Sequence, residues 1–395
     1  MTLPRLAPQH RVYAAFALYS FGLGNIFPRL PDIKAAMGVQ EGALGLSLIG
    51  VPIGTLVALT FATPLLERIG FGRALPVCTV LIAVFYAIAA QAHDPVTFFF
   101  CLMPAGLMVG SVEVMVNVEA DRTEHLVGRG IMNRAHSFWS FGFFGAALVG
   151  SALGQLGLSP QLHLALVVPA VAIGAWLFLG AYVPAPPRPL GDQAAAPLVA
   201  IPTVAVLLLV LVTLSAMLME GASLDWSAIY MRTVYDADPF WSGFAVAVFA
   251  ISQALARFFA DRFVQRHAPS GVARVLIAVM AVGVLLVVGA PLPALSLLGF
   301  VLLGIGSSAI FPLAMSAAAQ RTDRPASINV AALAQLSFVI FLLGPPLLGF
   351  VAQHVGIRWA YAVGIPLIAL SFALAGTLGS RRVLSSGLTA ASPDP

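Results

Sequence analysis

The chain reads as a succession of apolar runs of about 18 to 28 residues, each closed by charges, glycine or proline, and about 20 apolar residues suffice for a helix to cross a hydrocarbon core. The runs place twelve helices over 11–34, 41–66, 73–92, 95–120, 130–155, 160–184, 199–233, 239–261, 273–290, 293–319, 327–353 and 357–380. The longest weakly hydrophobic gap is Pro184 to Pro197, PAPPRPLGDQAAAP, a proline-rich linker. It divides the chain into an N-terminal six-helix half (1–184), a cytoplasmic linker (185–197) and a C-terminal six-helix half with a short cytoplasmic tail (198–395). The expected fold is an all-α membrane protein of twelve transmembrane helices in two pseudo-symmetric halves.

The halves repeat each other. Ala135–Gly157 matches Ala334–Gly356 without a gap, setting Gly145 on Gly344, Leu148 on Leu347, Gly150 on Gly349 and His136 on Gln335. The second and eighth helices end alike, in Glu67-Arg68 and Asp261-Arg262. Two parallel halves related along the membrane normal are a recurrent transporter architecture.

Composition changes the picture little and sidedness more. Hydrophobic residues are 60% of 395 positions and charged residues 9%, too little charge to cover a water-soluble surface. With both termini inside, sixteen of the 20 Lys and Arg, Arg134 and Arg257 among them, fall on the inner side. Arg29, Lys34, Arg232 and Arg358 fall outside. That asymmetry is the positive-inside pattern of a multi-pass bacterial inner-membrane protein with cytoplasmic termini. The net charge of +4 comes without a basic run or basic-aromatic patch, which excludes nucleic acid as a partner. Cys78 and Cys101 lie inside apolar runs, where neither a disulfide framework nor a metal site has partners. The basic start, Met1–Arg11, precedes an apolar run without a small-residue cleavage site and is read as uncleaved. No phosphate-binding loop, metal-ligand spacing or nucleophile elbow is present, so no enzyme, cofactor or metal is expected. Without an ATP-binding module, energy must come from a gradient or from the solute.

Ionisable groups within membrane helices are costly and mark pathways or relays. Glu113 lies deep in the fourth helix with Asn117 one turn later, and Gly106 and Gly110 continue that face backward, letting a neighbouring helix or substrate approach. Glu113 is the candidate for reversible protonation, against a structural pairing with a fifth-helix residue such as His136. The seventh helix carries Glu220 and Asp225 in EGASLDWS, and matching the halves through Gly45 and Gly243 sets Asp225 opposite Phe27. Arg29 could be the counter-charge of Asp225, the anchor of an anionic substrate group, or an arginine snorkelling outward. His136 could relay protons or simply pack. Asn25, Asn117, Trp139, Glu220, Trp226 and Gln335 complete the candidate lining of a central cavity.

The loop Leu66-Glu67-Arg68-Ile69-Gly70-Phe71-Gly72-Arg73 resembles the acid-arginine and glycine-arginine signature of the major facilitator superfamily, with Glu for the usual Asp and Phe71 inserted before Gly72. The resemblance implies a charge-pair latch in which Glu67, Arg68 and Arg73, with Asp261 and Arg262 in the second half, hold helix ends together in one transport state. The fourth helix, Gly110-Ser111-Val112-Glu113-Val114-Met115-Val116-Asn117, resembles the fucose/proton symporter branch, as does the first helix ending Gly24-Asn25-Ile26-Phe27-Pro28-Arg29-Leu30-Pro31. That branch has an acid where Phe27 stands, and Asp225 is the corresponding position of the other half. The resemblance implies secondary active transport by alternating access, with proton-coupled import of a sugar or other small polar solute by a monomer. A proton-driven exporter of amphipathic compounds and a non-transporting receptor are the alternatives. The fifth helix has Gly145-Ala146-Ala147 where drug antiporters have Gly-Pro, which speaks against the exporter.

Overall fold

The computed structural model describes residues 6–180, 182–186 and 200–379. Most of the linker, the tail from 380, and the side chains of Asp261 and Arg262 lie outside the described residues. Eleven of the described helices are long and apolar enough to cross a membrane: α2 (Glu41–Phe61), α3 (Phe71–Ala89), α4 (Pro95–Val127), α5 (Met132–Gln155), α6 (Pro160–Leu179), α7 (Val204–Tyr235), α8 (Pro239–Arg266), α9 (Pro269–Gly289), α10 (Pro293–Ala319), α11 (Ala326–Val355) and α12 (Ile357–Leu378). The twelfth crossing is α1, which is not continuous. Its 17-residue first piece, Pro8–Gly24, gives way to a 3-10 turn, Phe27–Arg29, and resumes as Leu30–Met37. Pro28 and Pro31 lack the N–H groups that would have bonded the carbonyls four residues earlier, so the break falls there.

Helix ends differ from the hydropathy reading where polar residues stay helical. α4 runs on past residue 120 to Val127 and stops at Gly128, whose φ of 66° is the left-handed conformation of a glycine C-cap. α8 continues past residue 261 to Arg266, and Arg257 lies within it, as the hydropathy reading had it.

Helices pack closely where glycine leaves room. A Cβ on Gly106 of α4 would collide with the Val51 carbonyl of α2, and one on Gly304 of α10 with the Phe249 carbonyl of α8. Both members of the pair are offset by 198 positions (51 to 249, 106 to 304), so the contact is the same contact in each half. Gly106 and Gly110 therefore serve helix approach, not substrate approach. A second equivalence fixes the register of α1 on α7: Pro28 packs on Gly150 of α5, and Trp226 packs on Gly349 of α11.

The bundle has two unlike ends. The linker end carries residues 182–186, Ala200 and the 66–73 loop. At the opposite, far end the halves close on one another: Gly45 of α2 faces the Pro345 carbonyl of α11, and Gly243 of α8 faces Ser151 of α5. Three polar contacts join the halves among the described residues, all at the far end. Gly42 N donates to Gln353 Oε1 (3.1 Å), Phe240 N to Gln155 Oε1 (3.1 Å), and Arg232 Nη2 pairs with Asp32 at 3.4 Å.

Candidate functional site

Midway along the bundle, α1, α4 and α5 converge on Glu113. The Tyr19 hydroxyl donates to Glu113 Oε2, and the Asn117 amide, one turn along α4, donates to Glu113 Oε1 at 2.9 Å. Because the Asn117 nitrogen is spent on the carboxylate, its Oδ1 is the acceptor for His136 Nε2 at 3.2 Å. This ordering assigns the proton of His136 to Nε2. The His136 ring stands edge-on to Phe16 at 4.9 Å. Trp139 stacks on Phe143, which meets Phe27 at 5.1 Å, so an aromatic wall extends from the polar cluster.

The second half supplies a charge pair. Arg257 Nη2 of α8 lies 3.2 Å from Glu220 Oε2 of α7, while its Nε donates to the Ser308 carbonyl (3.0 Å) at an interruption of α10. Both side chains keep about a fifth of their surface accessible, at 20% and 17%. Arg257 lies within electrostatic range of His136, which sets the pair of one half near the Glu113 cluster of the other. Among the described residues no three His, Cys, Asp or Glu side chains converge to hold a metal ion.

Asn25 and Arg29, expected at the cavity, are elsewhere. Both are buried, and they tie the broken segment of α1 to α6. Asn25 Oδ1 accepts from His163 Nε2 (3.0 Å), while Arg29 reaches Asp32 (2.8 Å), His163 Nδ1 (3.3 Å) and the Leu158 carbonyl (2.6 Å). The partner of Arg29 is thus Asp32, a near neighbour in sequence, and not Asp225. Trp226 is also withdrawn from the cavity, 1% exposed with its ring on Gly349. Gln335 accepts from Ala200 N (3.0 Å) where the chain approaches α7. Asp225 makes no hydrogen bond or ion pair among the described residues.

Glu67, Arg68 and Arg73 are exposed and make no ion pair among the described residues. The inserted Phe71 is buried instead, beneath the Arg122 guanidinium at 5.2 Å. Arg122 pairs with Glu119 (3.3 Å), whose other oxygen accepts from the Tyr182 hydroxyl and Ala185 N, both at 3.0 Å. Tyr19, Arg257, His163 and Glu119 were not singled out in the sequence. A buried acid in α4 one and a half turns beyond Glu113 was the one usable signal for the last of these.

The model of the Major Facilitator Superfamily matches residues 12–328 and 208–393. An uncharacterized MFS-type transporter of Yersinia pestis is 28% identical over 375 residues, 94% of this chain and 95% of that one. Among solved structures, the nucleoside transporter NupG superposes with a TM-score of 0.73 at 13% identity, over 95% of this chain and 100% of that one. The fucose:proton symporter FucP of E. coli, in a single-substitution form, gives 0.58 at 16% identity, over 95% and 99%.

Proposed function

The chain belongs to the major facilitator superfamily, and from that membership we propose that it imports a small polar solute by alternating access, driven by reversible protonation of Glu113. The observation that carries this reading is the donor arrangement around that acid. An ionised carboxylate only accepts, and Glu113 accepts from Tyr19 on one helix and from Asn117 on its own. A proton arriving on Glu113 removes the negative charge that strengthens both bonds and so weakens the hold of these donors. Loss of the Tyr19 bond would loosen α1 from α4, and the far-end pieces of α1 lie in the seam with the other half. Protonation is thereby linked to the packing of a gate element.

The proposed topology puts the linker end in the cytoplasm of a bacterium and the chain in its inner membrane, following the arginine asymmetry. Closure at the far end then leaves the Glu113 and Arg257 space facing the cytoplasm. The six-helix halves 1–184 and 198–395 rock about it, and Glu67, Arg68 and Arg73 engage Asp261 and Arg262 in the opposite state. Donors and acceptors on His136, Arg257 and Glu220 beside the Trp139–Phe143–Phe27 wall suit a ring bearing hydroxyl groups. NupG is a nucleoside transporter and FucP a fucose:proton symporter, which supports a sugar-bearing solute. The excess of carboxylates over guanidinium also suits a monocation exchanged for a proton, the export reading.

Proteoliposomes loaded at one pH and diluted into another, assayed with labelled sugars, nucleosides and organic cations, test both. Import driven by external acid is expected, with Glu113→Gln retaining solute exchange but losing accumulation. Accumulation that survives Glu113→Gln sinks the coupling role, and acid-driven efflux of a cation transfers the assignment to exchange.

A further inference from the structure

Buried polar side chains are nearly always hydrogen-bonded, and each exception asks for an explanation. Among the described residues only three buried side-chain polar atoms lack a partner: the Tyr86 hydroxyl, Trp226 Nε1 and Ser227 Oγ. Two of them follow Asp225 within two residues. The third, on α3 of the other half, lies within electrostatic range of the Asp225 carboxylate. Asp225 itself is half-buried about three turns before the far end of α7, and no cation pairs with it among the described residues.

The surrounding groups leave it unpaired. Tyr361 on α12 also interacts with Asp225, but its hydroxyl is committed to the Ala222 carbonyl at 3.0 Å. Tyr230 of α7 is committed to the Val287 carbonyl at 2.5 Å. Each far-end cation has another partner: Arg29 and Arg232 hold Asp32, Lys34 holds Glu41 at 2.7 Å, and Arg358 holds the carbonyls of Val288 and Ala290. An uncompensated carboxylate away from bulk water is unfavourable by several kcal/mol, and taking a proton removes that charge.

We propose that the far-end seam contains a second proton site, in which Asp225 takes up the proton and an ordered water joins its carboxyl to the Tyr86 hydroxyl across the halves. A bridging water satisfies both groups where no direct bond joins them. The site is assembled only while the seam is closed, because Tyr86 and Asp225 belong to different halves. Proton occupancy therefore favours the closed far end. The position is the repeat mate of Phe27, so each half holds one acid, Glu113 and Asp225, instead of two sharing a half. The two-state consequence rests on the transport reading, whereas the binding of a proton does not.

The test is an infrared pH titration of the full chain in liposomes, with protons as the only ligand, following the carboxylic-acid carbonyl bands and their deuterium shifts. Among the bands of the 16 acidic residues, difference spectra between wild type and variants are expected to isolate two. Asp225→Asn should remove one and leave the other, Glu113→Gln should do the converse, and Tyr86→Phe should shift the Asp225 band without abolishing it. Asp225→Glu, checked for folding by its melting curve, should restore a displaced band. Titrating bands unchanged by Asp225→Asn overturn the proposal. So does loss of the Asp225 band in sodium chloride but not in choline chloride, which would make this a sodium site. Absence of the Glu113 band alone would count against the proposed function and leave the second site standing.

Discussion

At the far end the two halves touch through glycine, proline and small side chains, so that backbone meets backbone at Gly45 and Pro345 and again at Gly349 and Glu41. At the linker end the signature loop presents Glu67, Arg68 and Arg73 to the exterior, with no ion pair among the described residues. Shape closes one end and charge waits at the other. Close-packed contacts are short-ranged and are either made or lost, whereas ion pairs act over longer distances and are each worth little when exposed. The closed end should therefore tolerate substitution badly and the charged end tolerate it well, as long as the molecule stays in this state.

The largest expected effect is that of Gly45→Leu, whose side chain would occupy the space of the Pro345 carbonyl. Overpacking of about 3 kcal/mol against the closed seam shifts the ratio of states by on the order of a hundredfold. A Ser151→Cys reporter in a Cys78→Ser, Cys101→Ser background should be labelled faster by an impermeant maleimide to that degree. An unchanged rate would mean that Gly45 is not needed for closure. Arg232→Gln comes next. It removes the ion pair to Asp32 without stripping Arg29 of its partner, and a half-exposed pair of about 1 kcal/mol corresponds to at most about a fivefold rise in labelling. The smallest effect belongs to Glu67→Gln, which should leave the same rate within about twofold, since an exposed unpaired residue contributes less than about 0.5 kcal/mol. A tenfold change there would show that the loop is already latched.

What could be read in advance followed from forces that act along the chain. Eleven crossings were legible from apolar length, and the repeat from glycines that no larger residue could replace. The first crossing was located correctly, but its break depended on how Pro28 and Pro31 were answered in space. Glu113 and Asn117 were legible as a pair because their spacing of one turn is a property of the helix itself. Tyr19 was not, since nothing in an apolar run distinguishes the one tyrosine whose acceptor lies 94 positions away. Arg257 was counted only for sidedness, because its partner Glu220 lies 37 positions earlier on another helix. Asn25 and Arg29 were drawn to the cavity by their chemistry, while the residue that claims them, His163, sits well over a hundred positions later.

Glu119 holds Ala185 and Gln335 holds Ala200, so the connection between the halves has two fixed posts. Fifteen residue steps separate the posts, a contour of about 50 Å when fully drawn out. Doubling its length should raise the cost of closing the chain by only about 0.6 kcal/mol. Severing it should leave two fragments that still find each other when made together in one membrane.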